Sequence, residues 1–241
     1  MRGIIDSFDY LFTILTWQKS LLFLLLSAGP TLLWLLVCLR FDRSAPEPKI
    51  QIFKTFVFGA VLTIPIIFAA GYLIGFFEGS FHLSDLARIF VLSFLIDGLI
   101  EESAKYVILR WRVYKSTYFD ELRDGFIYGM VLGLGLAFVE NFLYGLIGSS
   151  LADSATTILL RGFTTTFLHF LCGGIIGYYL GLVKFRARRF SVALEGLLLA
   201  ILFHGLYNTV IRFDWWWNIF PLIILLIGVY RVILKKIKSF S

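Results

Sequence analysis

Charge is scarce in this sequence: only 16% of its 241 residues are Asp, Glu, Lys or Arg, whereas a soluble domain has about 25%. Cysteine is scarce too. Cys38 and Cys172 both lie inside apolar runs, which excludes a disulfide framework and a cysteine-based zinc site. Hydrophobic residues make up 59% of the chain and aromatic residues 18%. One water-soluble core of this length cannot bury that much apolar surface, so the composition excludes a soluble enzyme, a disordered segment and a nucleic-acid-binding module.

The apolar residues fall into seven runs, each close to the roughly 20 residues that cross a bilayer core as a helix. The predicted spans are 20–39, 55–77, 89–109, 126–148, 162–183, 192–211 and 217–234. The third is the weakest because it carries four charged side chains. The sequence therefore predicts an all-α polytopic membrane helix bundle of about seven transmembrane helices. Residues 20–241 are expected to form a single transmembrane domain in the lipid bilayer.

Basic residues in the connections alternate between a rich side and a poor side. One side receives four blocks of four Lys or Arg residues, within 40–54, 110–123, 184–189 and 231–238. The other side receives Arg2, Lys19, Arg88, Arg161 and Arg212. Because cytoplasmic connections carry the excess of Lys and Arg, this pattern predicts a cytoplasmic C-terminus and, with seven spans, an N-terminus outside. The net charge of +6 thus reflects membrane topology, and no nucleic-acid partner is expected.

Residues 1–19 differ from the spans that follow. Asp6 and Asp9 interrupt their apolar residues and no small-residue cleavage site follows, so a signal peptide is not expected. Their apolar residues recur at helical spacing, which predicts an amphipathic segment on the outer surface.

Glycines form stripes of small residues in two spans. Gly129 and Gly133 lie four residues apart in the fourth span, and Gly173, Gly177 and Gly181 repeat that spacing in the fifth. Such stripes let a neighbouring helix approach closely, so they are interpreted as packing features.

Ionisable side chains inside the predicted spans are the main functional signal, because a charge near the bilayer centre costs at least about 2.5–3.5 kcal/mol. Five stand out: Glu101, Glu102, Glu140, His169 and His204. Such groups face the bundle interior and pair with one another. Helical spacing puts Asp97, Glu101 and Lys105 on one face, where Asp97 either holds Glu101 or Lys105 or lines a wet cavity. The same spacing stacks His204 on Asn208, and Asn141 directly follows Glu140.

Depth in the membrane is a second signal. Three of the five lie eight residues inward from the outer end of their span, namely His169 from Arg161, His204 from Arg212 and Glu140 from Gly148. At 1.5 Å per residue this is about 12 Å below the outer boundary. Glu101 is 13 residues from Arg88, about 20 Å down, unless a bend at Gly98, a tilt or a later helix start raises it.

This set of residues can support amide hydrolysis by an activated water. Two adjacent carboxylates in a low dielectric cannot both stay charged cheaply, so one of Glu101 and Glu102 is expected to accept a proton as general base while Lys105 keeps the other ionised. A histidine can protonate the leaving amine, and Asn208 can donate to the oxyanion. A zinc version on His169, His204 and a glutamate, taken as Glu140, stays open. Against it, the sequence has no HExxH motif.

Four short motifs stand in order in separate spans: Glu101 to Lys105 (EESAK), Asp124 to Asn141 (DGFIYG to EN), His169 to Gly174, and His204 to Asn208 (HGLYN). With Gly29-Pro30 and the loop 42–48, they resemble the blocks of PrsW-type intramembrane proteases, in the superfamily of CAAX-processing proteases. The resemblance runs from about residue 28 to about residue 210. One departure is Leu136, which stands where the family often has an aromatic residue.

The resemblance implies a glutamate-type intramembrane endopeptidase, although family members have also been called metalloproteases. Glu101 or Glu102 would activate water, and Glu140, His169, His204 and Asn208 would complete the catalytic set. Asp97, Lys105 and Asn141 would support it. The implied substrates are single-span membrane proteins such as anti-sigma factors, cut near their outer side during stress signalling in a prokaryotic cell membrane. No cofactor is favoured, and zinc stays possible. The alternative from another class is a non-catalytic scaffold or a proton-coupled transporter, the latter less favoured because no inverted repeat is visible.

Overall fold

The computed structural model describes residues 17–41, 46–187, 189–213, 227–228 and 231, and this part of the chain contains helices and short connections but no strand. Its α-helices are α1 (Trp17–Phe41), α2 (Lys49–Ser80), α3 (Asp85–Phe90), α4 (Leu99–Ile108), α5 (Leu122–Leu146), α6 (Leu151–Phe163), α7 (Thr165–Leu182) and α8 (Phe190–Arg212). Three π-helical segments continue them, π1 (Val91–Gly98), π2 (Leu109–Val113) and π3 (Val183–Ala187).

Within the residues that the structure describes, five helical segments are long and apolar enough to cross a membrane: Trp17–Arg40, Lys49–Ser80, Leu122–Leu146, Leu151–Arg186 and Phe190–Arg212. They match the predicted first, second, fourth, fifth and sixth spans, so the all-α membrane fold is confirmed. The predicted third span lies in the helical run from α3 to π2. This run has too many charged residues near its centre to count as a candidate span. Most of the predicted seventh span and of residues 1–19 lies outside the described residues. The described part of the chain thus contains five candidate spans of the seven that the sequence predicts.

Local side-chain signals fix where the central helices begin. Glu121 and Asp124 form a capping box at the start of α5, each side chain accepting from the other residue's backbone N–H. The Ser150 hydroxyl accepts from the Asp153 amide at 3.1 Å and caps α6. The helical run then breaks at Thr164, which separates α6 from α7.

Helices α5 and α7 form the centre of the bundle and are the most buried of the five candidate spans. Helix α5 packs most extensively against α7 and then against α2 and α1, whereas α7 also packs on α8. Glycines make the α5–α7 contact possible: a Cβ at Gly129 would overlap the Gly173 carbonyl, and one at Gly133 would overlap the His169 carbonyl. The predicted close approach at these stripes is confirmed. It sets the distance between Glu140 on α5 and His169 on α7.

We expect Gly133→Ala to destabilise the fold by about 1–3 kcal/mol, because the added methyl group must push α5 away from the His169 backbone. The measurement is thermal unfolding of the purified protein in detergent. Gly75→Ala on α2 is the matched control, because nothing lies within 4 Å of a Cβ there. Equal unfolding midpoints for the two variants would show that the bundle does not need this close contact.

The π1 segment changes the depth of Glu101. The predicted depth of about 20 Å assumed an α-helical rise of 1.5 Å for each of the 13 residues after Arg88. Eight residues of that stretch, Val91–Gly98, are π-helical. A π-helix bonds residue i to i+5 and packs more residues into each turn, so it rises less per residue. Glu101 thus lies closer to the level of the two histidines than an unbroken α-helix would place it.

Candidate active site

Four helices bring all five intramembrane ionisable residues together in the bundle interior. Glu101 and Glu102 come from α4, Glu140 from α5, His169 from α7 and His204 from α8. The two imidazole rings meet edge to face, with centroids 5.1 Å apart. The structure therefore places the predicted residues in one cluster.

Lys105 and Glu102 form a fully buried ion pair at the base of this cluster. The Lys105 ammonium donates to Glu102 Oε1 at 2.7 Å and to His169 Nδ1 at 2.9 Å. His204 Nδ1 donates to the same Glu102 oxygen at 2.6 Å. Of the two adjacent carboxylates, the ammonium pairs with Glu102, three residues away along α4. Glu102 is thus held by two donors and anchors both α4 and α8.

These partners set the tautomer that each histidine has in its neutral form. An ammonium group has only donors, so His169 Nδ1 accepts from Lys105 and its proton lies on Nε2. That Nε2 donates to Glu140 Oε2 at 3.1 Å. In His204 the proton lies on Nδ1, which leaves the lone pair of Nε2 facing Glu101 Oε2 at 3.9 Å.

Glu101 differs from its neighbour Glu102 in what reaches its carboxylate. Glu101 Oε2 lies 3.8 Å from His169 Nδ1 and 3.9 Å from His204 Nε2, and no described residue hydrogen-bonds to it. Glu101 retains 8% of its surface exposed, whereas Glu102 is 0% exposed. Glu102 Oε2 likewise takes no hydrogen bond, but Glu102 Oε1 is held by two donors, so Glu101 is the carboxylate that keeps exposed surface.

Two arginines near the C-terminal ends of α6 and α8 join the cluster, although their sequence positions indicated only a role in topology. Arg161 on α6 donates to Glu140 Oε2 at 3.0 Å and to Asn141 Oδ1 at 3.2 Å, and its guanidinium stacks on the Tyr144 ring at 3.6 Å. The Asn141 amide in turn donates to Thr166 at 2.7 Å. Glu140 is therefore shared between Arg161 and His169.

Arg212 on α8 makes the corresponding contact on the other flank. Its guanidinium contacts Asp97 Oδ2 at 2.6 Å, and the Asn208 amide donates to the same oxygen at 2.8 Å. Asp97 thus pairs with Arg212 and Asn208 and not with Glu101 or Lys105, one of the two roles that its spacing suggested. Asp97 lies in π1, where the wider turn takes its side chain off the α-helical face that spacing alone predicted. Asp97 instead fixes Asn208.

Comparison with known proteins decides the family. The profile of the family described as PrsW family intramembrane metalloprotease matches residues 47–234, a range that contains every residue of the cluster. The chain belongs to the PrsW family. The resemblance drawn from the four motifs is confirmed, and membership in this family indicates a peptidase.

Individual PrsW relatives cover most of the chain. It is 31% identical to Protease PrsW of Clostridioides difficile (strain 630), over 83% of each chain. It is 34% identical to Protease PrsW of Bacillus subtilis (strain 168), over 77% of this chain and 81% of the relative. No solved structure matches the chain. As a member of this family with five candidate spans, the protein is a multi-pass membrane protein.

The PrsW family description names a metalloprotease, so we asked which residues of the cluster could bind a metal ion. Glu101, His169 and His204 each offer a ligand atom, and these atoms all lie within 4.8 Å of one another. Two imidazoles and a carboxylate are zinc ligands, so the residues fit such an ion. The carboxylate is Glu101 and not the predicted Glu140, because Glu140 Oε2 is taken up by His169 Nε2 and Arg161.

Proposed function

We propose that this protein is an intramembrane endopeptidase of the glutamate type, with Glu101 as the general base for the attacking water. The observation that supports this most is the setting of Glu101 Oε2, a buried carboxylate oxygen that faces two imidazoles and takes no hydrogen bond from a described residue. The substrates we propose are single-span membrane proteins of the anti-sigma-factor kind, cut near the outer face of a bacterial cell membrane.

The proposed reaction uses the cluster in one proton cycle. Glu101 takes a proton from a water while the oxygen of that water attacks the carbonyl carbon of the scissile bond. The proton passes through His204 Nε2 to the amine nitrogen as the carbon–nitrogen bond breaks. While His204 carries it, the Glu102 carboxylate on Nδ1 stabilises the imidazolium, as the aspartate does in a catalytic triad. Asn208 has a second N–H beyond the one given to Asp97, and it can donate to the oxyanion.

The remaining residues hold this geometry in the proposal. His169, fixed between Lys105 and Glu140, lies beside the Glu101 carboxylate and limits where a water can sit. Asn141 and Arg161 keep Glu140 in place.

Zinc is the second candidate, favoured by the Glu101, His169 and His204 donor set and by the family description. A bound zinc ion would supply a Lewis acid and a more acidic water. The Lys105 ammonium, 2.9 Å from His169 Nδ1, places a second positive charge beside such an ion and competes for that nitrogen. We therefore expect active protein to contain no stoichiometric zinc by elemental analysis and to keep its activity after dialysis against a chelator. Activity lost in chelator and restored by zinc would establish the metal mechanism.

We also propose the full seven-span topology, with the C-terminus cytoplasmic and residues 1–19 on the outer surface before one protease domain over 20–241. The asymmetry of Lys and Arg between the two sides supports it. Single cysteines at Ser149 and Thr117 test it, because these positions lie at opposite ends of α5. A membrane-impermeant thiol reagent applied to whole cells should label Ser149→Cys and not Thr117→Cys. The reverse result would invert the topology.

The experiment that tests the function is a quantitative map of new protein termini released from membranes. Cells carrying the intact chain are compared with cells carrying Glu101→Gln and, as the matched control, Glu195→Gln at equal expression. Glu195 is an exposed carboxylate on α8 far from the cluster along the helix. We expect a small set of single-span proteins to lose outer-side fragments in Glu101→Gln alone. Identical profiles under several envelope stresses would favour a non-catalytic scaffold or a proton-coupled transporter.

Arg212→Gln is expected to lower kcat roughly 10-fold with little change in KM. Asp97, which holds the Asn208 amide, then loses the cation that fixes its own position. Misplacing a catalytic group by 1 Å lowers the rate by up to about 100-fold. Cleavage of a single-span model substrate in proteoliposomes measures both constants. Arg88→Gln is the matched control, since Arg88 pairs with Glu78 at the exposed surface away from the cluster. A KM effect without a kcat effect would assign Arg212 to substrate binding instead.

A further inference from the structure

A cavity lies far from the catalytic cluster, where π2, π3 and the start of α8 meet. Its volume is about 420 Å³. Tyr106, Arg110 and Tyr114 line one side, and Lys184 and Phe190 line the other. Lys184 follows His169 by 15 residues along the same helical run, so the cavity is about 22 Å from the histidine along the axis.

The charged side chains that line this cavity are all cationic. Its lining carries two cations, Arg110 and Lys184, and no acidic side chain. The Lys184 ammonium donates to the carbonyl oxygens of Phe119 at 2.5 Å, Tyr114 at 2.9 Å and Ser116 at 3.4 Å. These three bonds use all its donors and fix the connection after π2, and no described carboxylate forms a salt bridge with it, although Asp120 and Asp124 lie near enough to interact with its charge.

Arg110 is the side chain that is available to a ligand. Its guanidinium stacks over the Tyr114 ring at 4.1 Å, and no described residue pairs with it through a hydrogen bond or a salt bridge. Stacking fixes the plane of the group and leaves its N–H donors at the edge. A planar fork of donors fits the oxygens of a phosphate group in a bidentate manner.

The position of the cavity also restricts the ligand. It lies at the end of the bundle where the basic blocks 110–123 and 184–189 are concentrated. Trp111 and Phe190 beside it are 60% and 69% exposed, as aromatic residues are at a membrane interface. A polar cavity between helices at such an interface is within reach of lipid headgroups, and basic pockets of this kind bind anionic lipids.

We propose that this cavity binds the phosphate-bearing headgroup of an anionic membrane lipid, with Arg110 as the phosphate ligand and Lys184 as a fixed positive charge behind it. The site is independent of the peptidase chemistry proposed above. A lipid bound there joins the end of α4 to the ends of α7 and α8, the three helices that carry Glu101, His169 and His204.

The test is lipid binding to the purified full chain in a neutral detergent. Phosphatidylglycerol is titrated while the thermal unfolding midpoint is followed, and native mass spectrometry counts the lipids retained. Phosphatidylcholine and inorganic phosphate are titrated in parallel. We expect phosphatidylglycerol to raise the midpoint, and Arg110→Gln to weaken its apparent affinity roughly 10-fold or more, as expected for loss of a charged hydrogen bond.

Arg112→Gln is the matched control, because Arg112 lies two residues away, stacks on Phe58 and Trp111 and does not line the cavity. It should bind phosphatidylglycerol like the unchanged protein. Arg110→Lys keeps the charge without the fork and should fall between the two. Equal affinities for the Arg110 and Arg112 variants, or an equal response to phosphatidylcholine, would overturn the site. An equal response to inorganic phosphate would overturn the lipid as its source.

Discussion

Glu101→Gln is expected to lower kcat by at least about 100-fold and to leave the fold intact. General acid–base catalysis contributes about 10²–10⁴-fold, and an amide in place of the carboxylate cannot take a proton from water. The fold should persist because no described residue hydrogen-bonds to Glu101 Oε2, so the exchange removes no such contact there. Single-turnover cleavage of a single-span substrate in proteoliposomes measures the rate, and the unfolding midpoint measures the fold.

Glu195→Gln serves as the control for this loss, since it removes an exposed carboxylate from α8 and should leave kcat unchanged. Glu102→Gln gives a different outcome from Glu101→Gln, because Glu102 is held by Lys105 and His204 and its change should lower stability as well as rate. Full activity in Glu101→Gln would sink the proposed base. Full activity in Glu102→Gln as well would remove the glutamate mechanism altogether.

Lys105→Met is expected to destabilise the fold by about 3–5 kcal/mol, the usual result of removing one partner from a buried ion pair. Both side chains are 0% exposed, and Glu102 keeps its carboxylate in the interior when the ammonium is gone. Methionine has nearly the length and volume of lysine, so the effect reports the lost charge and hydrogen bonds rather than a cavity. Unfolding in a series of mixed detergent micelles gives the free energy.

The double variant Lys105→Met with Glu102→Gln distinguishes charge from packing. If the lone carboxylate causes the loss, neutralising it should recover most of the stability, because an uncharged pair leaves no unpaired ion in the interior. Lys49→Met, at an exposed position at the start of α2, should have little effect. A double variant no more stable than Lys105→Met alone would contradict the explanation by charge.

The members of the cluster could be predicted from sequence because the membrane makes them conspicuous. An ionisable group in an apolar span is costly, so Glu140, His169 and His204 stand out and must face inward. The close contact between helices could also be predicted, because Gly129 and Gly133 recur at the four-residue spacing that places them on one face of a helix. Apolar runs of membrane length likewise predicted five of the helices that the structure contains.

The partners within the cluster could not be predicted, because pairing depends on how each helix is rotated about its axis. The π1 segment changes the helical phase before Glu101, and this moved Asp97 from its predicted partners to Asn208. Arg161 and Arg212 carried a signal of another kind. They lie near the C-terminal ends of α6 and α8, so their positions in the sequence suggested only a role in topology. Whether a long side chain reaches into the bundle cannot be read from the sequence.

On the proposed mechanism, the order in which the four contributing helices leave the ribosome keeps the protease inactive until its last catalytic helix is made. Glu101, Glu140 and His169 enter the membrane first, whereas His204 and Asn208 arrive only with α8. Until α8 docks, Glu102 lacks its second donor and Glu101 faces a single imidazole. An incompletely synthesised chain at the translocon is therefore inactive, and no propeptide is needed to inhibit it. Single-span proteins inserted beside it by the same machinery are exposed to the protease only after its own biogenesis is complete.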